Sequence, residues 1–347
     1  MTSTLDRPPA AADATARRSP RKTPLTWRQR LSRFDVKASP YVYVAPFFVL
    51  FAITGAFPLV YTLVVSLHDW ELLQGQGDFV GLDNFAAVLQ DRFFWNSIFN
   101  TLSIFLLSTI PQLAFALIIA AVLDQHLKAR TFWRMSVLLP YVVTPVAVAL
   151  IFSNIFNEQS GLVNNLLAVV GVEPIQWKHD TLASHIAIAT MVNWRWTGYN
   201  ALILLAAMQA VPRDLHESAA IDGAGAGRRF FSITVPSIRP TLIFVIITAT
   251  IGGLQIFAEP RLFDVSAAGG IGGYDGQFQT TVLYLWEMAF FRQNFGEASA
   301  IAWLLFLLIV TLGLINFFIS RRIASSENRA IKRASARRLA AQRGDRA

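Results

Sequence analysis

Six predominantly apolar runs, each long enough to cross a bilayer, occupy 41–67, 98–123, 135–156, 183–210, 239–258 and 298–320. A spanning helix needs about 20 such residues, set by the thickness of the hydrocarbon core and the helical rise. In hydrocarbon the backbone must satisfy its own hydrogen bonds, so runs of this length point to an all-α membrane protein with six transmembrane helices. Pro46, Pro58, Pro111, Pro140 and Pro145 fall within the runs. Neighbouring helices of a bundle can absorb them. No long run is a copy of another, and no helix reads as broken.

Composition agrees. Hydrophobic residues make up 54% of 347 and the mean hydropathy is +0.45, above what soluble domains carry. There is no cysteine, which excludes disulfides, thiolate zinc sites and a cysteine nucleophile. His68, His126, His179, His185 and His216 show no metal-ligand spacing with carboxylates, and no Ser/His/Asp arrangement is suggested. The sequence therefore reads as neither a metal site nor a catalyst. No G-x-x-x-x-G-K-[ST] segment is present to cradle nucleotide phosphates.

Charge orients the runs. Of 30 Lys and Arg, 25 fall in the two tails and in the loops after the second and fourth runs. The positive-inside bias then puts both termini and the loop 211–240 in the cytosol. The chain divides into a basic cytosolic tail (1–40), a first span with an extracytoplasmic loop (41–94), a core (95–320) and a second basic tail (321–347). Residues 1–40 lack an apolar stretch followed by a small-residue cleavage site and read as a retained tail. The tails suit anionic lipid headgroups rather than nucleic acid. Residues 279–296 hold Glu287 and Arg292, which fits a helix at the outer interface better than a seventh span.

The segment "VPRDLHESAAIDGAGAGRRFFSITVPSIRP" (211–240) interrupts this apolar pattern. Asp214 is placed to cap a helix, with Glu217 as its capping partner. Gly223 is placed to end that helix in the left-handed conformation. Residues 224–227 have almost no side chain, which leaves room for another backbone. A second short helix is expected over 228–235, stopped by Pro236. An ordinary solvated loop and a docking element both fit these features.

The segment resembles the EAA loop of permease subunits of binding-protein-dependent ABC importers. Glu217-Ser218-Ala219, Gly223, Ile233, Val235 and Pro236 stand at that family's spacing, with Ser218 and Val235 as mild departures. The flanking "VP" (211–212) and "IDGA" (221–224) are similar to its sugar-importing branch. Weaker resemblance covers about 95–320, including "TFWRMSVLLPYVVTP" (131–145) and "WTGYN" (196–200). The resemblance implies a type I importer permease (MetI-like) bundle of the maltose-type carbohydrate uptake family. It implies coupling to an ATPase subunit through Glu217, Ala219, Asp222, Gly223, Ala224 and Arg228. The implied partners are a second homologous permease, two cytosolic ATP-binding subunits that use ATP and Mg, and an extracytoplasmic sugar-binding protein. This chain itself takes no cofactor.

The fourth run carries "VNWRWTGYN" (192–200) near mid-membrane depth. A central Arg costs roughly 2.5–3.5 kcal/mol on insertion scales, so Arg195 should face a bundle interior or a wet cavity. A structural ion pair and a place on the substrate path both fit it. Thr197 and Tyr199 share its depth. Gln255 and Glu259 stand one helical turn apart in the fifth run. Trp194 and Trp196 lie about 200° apart on a helix, so at most one of them can face a cavity squarely. Gly198 leaves space beside Trp194, which favours Trp194. The family holds sugar on these two helices, which implies a substrate path of Trp194, Arg195, Thr197, Gly198, Tyr199, Gln255 and Glu259. The expected cargo is a disaccharide or short oligosaccharide. Glycerol phosphate or another small polar solute is the alternative within the class, and an ion-coupled secondary transporter is the alternative outside it. Cysteines introduced singly at positions 5 and 340 should stay unlabelled by an impermeant thiol reagent on intact cells, and labelling of either would reverse the assigned topology.

Overall fold

The computed structural model of this chain describes residues 27–125, 127–264 and 270–344. Most of the first basic tail (1–26), His126 and the side chains of the tail 321–347 lie outside the described residues. The chain forms two compact units that meet in sequence at Val60 and Tyr61. In the first, α1 (Trp27–Phe51) passes through a π-helical turn (Ala52–Ala56) into α2 (Phe57–Ser66). Pro58 has no N–H to donate back along the helix, and the widened turn comes just before it. The stretch 38–66 is long and apolar enough to cross a membrane.

The second unit begins with the end of α2 and a small antiparallel hairpin, β1 (His68–Glu71) with β2 (Gly75–Phe79). This hairpin is a departure from the purely helical expectation. Then follow α3 (Asp83–Gln90), α4 (Arg92–Asp124), α5 (Arg130–Val142), α6 (Pro145–Ile155), α7 (Leu162–Val169) and α8 (Thr181–Gln209). The cytosol-assigned loop forms α9 (Arg213–Ile221), α10 (Ala226–Arg229), a π turn (Phe230–Thr234) and α11 (Val235–Ser237). The chain closes with α12 (Arg239–Leu254), α13 (Ala258–Phe263), α14 (Thr281–Phe290) and α15 (Phe295–Gly344).

Among the described residues, 38–66, 92–124 and 295–319 each qualify as apolar spans. Two bent helix pairs bring the number to five if each is one span. Reaching six requires α8. It has 29 residues, about 43 Å of helix, but its middle turns are polar. It tolerates them because its faces are covered by protein. Residues from Ala183 to Val192 share one apolar cluster with Ile104 of α4, Val148 and Phe152 of α6, and Phe263. Ala201, Leu204, Leu205 and Met208 share another with Ala116, Ala120 and Leu123 of α4 and Val245 of α12.

The expected single span 135–156 is broken. The axes of α5 and α6 differ by 89°. Thr144 is extended and caps α6, its hydroxyl accepting from Ala147 N at 3.4 Å, and Pro145 takes the first helical turn. Proline pushes the residue before it out of the helical region, and here the break follows that rule instead of being absorbed. Broken helices are therefore part of this fold, contrary to the sequence reading. In α4, by contrast, the helix runs straight through Pro111.

The segment 279–296 contains α14, ten residues long and too short to span. Tyr284 and Met288 are buried in a cluster with Phe94 of α4 and Ile301 of α15. Asp91 caps α4 by accepting from Phe93 N at 2.8 Å and also accepts a hydrogen bond from the Tyr284 hydroxyl. Burial, together with that carboxylate, pushes the Tyr284 hydroxyl well above its ordinary range.

Helices α5 and α8 touch through Gly198. A Cβ placed there would lie 1.8 Å from the Val137 carbonyl oxygen. The close approach is the reason for glycine at this position. Gly198→Ala should therefore lower the thermal midpoint of the detergent-extracted protein, by the equivalent of about 1–3 kcal/mol. Gly225→Ala, where an added Cβ meets nothing within 4 Å, should leave it unchanged.

Candidate functional site

A cavity of about 530 Å³ lies halfway along α8, between its two apolar clusters. That volume falls within the range of small-molecule sites, about 300–1,000 Å³. Helix α4 contributes Ser108, Thr109 and Gln112. Helix α8 contributes Arg195, Trp196, Tyr199 and Asn200. Helix α12 adds Phe244 and Thr248, and the segment after it adds Gln255, Phe257 and Glu259.

Arg195 is the centre of the arrangement. Its Nη1 donates to Glu259 Oε1 at 3.1 Å, and the two side chains are 16% and 8% exposed. The guanidinium sits 5.6 Å from the Trp196 ring centroid, a cation–π contact. Its Nε is buried and makes no hydrogen bond among the described residues. A central arginine is thus neutralised inside the protein rather than exposed to lipid.

Four of the seven residues expected on the substrate path line the cavity: Arg195, Tyr199, Gln255 and Glu259. Gln255 and Glu259 do so without sharing a helix. Helix α12 ends at Leu254, just after Gly252 and Gly253, two poor helix formers. Gln255 is its cap, and Glu259 belongs to the first turn of α13. The expectation of two residues one turn apart is corrected, while their convergence stands.

The choice of tryptophan is also corrected. Trp196 lines the cavity, packed edge-on against Tyr141 and Tyr199. Trp194 is turned away against Phe152 of α6, ring centroids 5.7 Å apart, and is 40% exposed. Gly198 makes room for α5, not for Trp194, and this contact sets the rotation of α8. Thr197 is outside the lining and donates to the Asn193 carbonyl at 2.6 Å. The sequence reading missed the α4 wall. Its signal was available: Ser108, Thr109 and Gln112 stand close together in the middle of a mostly apolar run.

The loop after α8 is a separate surface. The N-cap of α9 is Pro212, without a side-chain cap, and Asp214 lies in the first turn. The expected capping box is therefore not formed, and Asp214 acts through the helix dipole instead. The C-terminal end follows expectation. Gly223 has φ of +80°, Gly223 N donates to Ala220 O and Ala224 N donates to Ala219 O, which together make a Schellman cap.

The second helical piece of the loop runs 226–237 through the π turn, rather than 228–235. Pro236 sits in the first turn of α11, where its missing N–H is harmless, so it does not stop the helix. Arg229 Nη1 reaches the His216 carbonyl at 3.4 Å and ties the two pieces together. Positions 225 and 227 face open space, so among the described residues no backbone fills the room that these glycines leave. Glu217, Asp222, Gly223 and Arg228 are exposed, and Ala219 and Ala224 are half-buried. Ile221 is 87% exposed and Phe231 70%.

The chain as a whole is similar to known proteins. The family described as "binding-protein-dependent transport system inner membrane component" matches residues 84–328. The chain is 33% identical over 304 residues to the lactose transport system permease protein LacF of Rhizobium radiobacter, covering 85% of this chain and 98% of that protein. It is 33% identical over 282 residues to the trehalose/maltose transport system permease protein MalF of Thermococcus litoralis, covering 81% and 93%. In fold it resembles a chain in the crystal structure of a bacterial ABC transporter involved in import of the acidic polysaccharide alginate. The TM-score is 0.71 at 21% identity, covering 85% of this chain and 99% of that one.

Neutralising Arg195 or Glu259 alone should destabilise the extracted protein, and the double variant should lose less than the sum. The expected coupling in a double-mutant cycle is about 1–3 kcal/mol, read from thermal or denaturant unfolding in detergent.

Proposed function

This chain belongs to the family of binding-protein-dependent transport system inner membrane components, and from that premise we propose that it translocates a disaccharide or short oligosaccharide through the cavity beside Arg195. As a permease it is embedded in the membrane and is not an enzyme. The observation that carries the reading is the cavity's lining. Trp196 and Tyr199 put aromatic surface in the lining for the C–H groups of a sugar. Gln112, Asn200 and Gln255 offer amides to its hydroxyls. The mid-helix position suits a path that opens in turn to either side.

The rest of the machine is assigned to partners. A second homologous permease completes the pathway, and an extracytoplasmic binding protein delivers the sugar. Two cytosolic ATP-binding subunits supply energy from ATP and Mg. Both termini and the loop 211–240 face the cytosol of a bacterial cytoplasmic membrane. Glu217, Ala219, Asp222, Gly223, Ala224 and Arg228 then meet the ATPase. The exposed Ile221 and Phe231 supply apolar contact beside those charges. The loop joins α8 to α12, two of the helices that wall the cavity, so movement of the loop is carried to the site. The bent pairs alone would also suit an ion-coupled secondary transporter, and family membership decides against it. The similar proteins named above include a permease for lactose and a transporter of an acidic polysaccharide, so relationship leaves the charge of the cargo open.

Gly223→Val tests the coupling role. A β-branched residue at φ of +80° is strained by roughly 1–2 kcal/mol and should deform the end of α9. Membrane levels should stay normal, while ATPase co-purification and sugar uptake fall together. Uptake retained in this variant would reduce the loop to a solvated linker.

A further inference from the structure

Among the described residues that line the cavity, Arg195 and Glu259 alone carry charge, and they are engaged with each other at 3.1 Å. The polar remainder of the lining consists of hydroxyls and amides. The lining that the described residues of this chain supply is therefore electroneutral.

We propose that it selects uncharged saccharides over those bearing a carboxylate or phosphate, with Glu259 as the residue that enforces the choice. This rests on the cavity being the substrate path. An anionic sugar would leave water for a partly enclosed site with no other cation among its described lining. To gain a cation it would have to take Arg195 from Glu259. That would strand a carboxylate that is 8% exposed, and unpaired buried charges are strongly destabilising. With the pair intact, the ligand's own charge meets the Glu259 carboxylate at close range.

A neutral sugar meets neither obstacle. Its hydroxyls can be met by Gln255 and the other amides and hydroxyls of the lining while Arg195 Nη1 keeps Glu259. The aromatic contact is preserved as well, because the cation stays beside Trp196. The pair thus keeps Arg195 in the lining while withholding it as a binder of anions.

The test is saturation-transfer NMR on the assembled permease–ATPase complex in lipid nanodiscs. The probes are cellobiose, maltose and lactose against cellobiouronic acid, in which a carboxylate replaces one hydroxymethyl group. The wild type should bind at least one neutral disaccharide more tightly than the acid by about tenfold or more. Glu259→Gln should narrow or reverse that preference by a similar factor. Gln255→Lys adds a cation to the cavity and leaves the ion pair intact, so it should shift preference the same way even if Glu259→Gln assembles poorly. Equal binding of neutral and acidic probes by the wild type would overturn charge selection, as would an unchanged preference in Gln255→Lys. Binding of none of the probes would overturn the substrate-path reading itself and this inference with it, an outcome distinct from loss of selectivity alone.

Discussion

A guanidinium at the middle of a membrane-length helix has to be met inside the protein, and the contact of Arg195 with Glu259 organises what surrounds it. Glu259 reaches Arg195 because α12 stops at Leu254 and the chain re-enters as α13. A continuous helix to 258 would have carried the fifth span past this level. Irregular backbone at that depth is tolerable only where it is buried in protein or lines a cavity. Here Thr280 donates to the Ile256 carbonyl at 3.0 Å, and the segment forms one wall of the cavity. The pair, the helix end and the cavity are one arrangement.

The same logic accounts for the division of labour along α8. Its two ends are built into apolar clusters, and its polar residues are gathered between them. Helix α4 repeats the pattern in its own sequence, with Ile104 in one cluster, Ala116 to Leu123 in the other, and Ser108, Thr109 and Gln112 between. Two helices with matching polar middles enclose space where packed side chains would otherwise sit. The hydrogen bond from Asn200 to Gln112, at 3.4 Å, bridges them across the cavity wall.

The loop after α8 carries its information in a different form. It buries little of itself, and its shape is held by backbone geometry: a Schellman cap at one corner and one arginine–carbonyl contact across it. An element built this way keeps its shape without a core of its own and leaves its side chains available to a partner. It also continues directly into α12, so it is mechanically joined to the cavity wall.

The helical membrane class, the apolar runs, the left-handed glycine at 223 and the polar middle of α8 were all legible in the sequence, because each follows from local rules: run length, φ preference and the cost of a charge in hydrocarbon. The family pattern in 217–236 was legible for the same reason, as fixed residue types at fixed spacing. Tertiary structure alone decided that Trp196 and not Trp194 faces the cavity and that Gln255 and Glu259 converge from different helices, whereas the break at Thr144 and the α4 wall had local signals in Pro145 and in Ser108, Thr109 and Gln112. Periodicity sets the angle between two residues on a helix but not how that helix is rotated in its bundle. That rotation is a property of contacts between helices, such as the one that brings the Val137 carbonyl against Gly198.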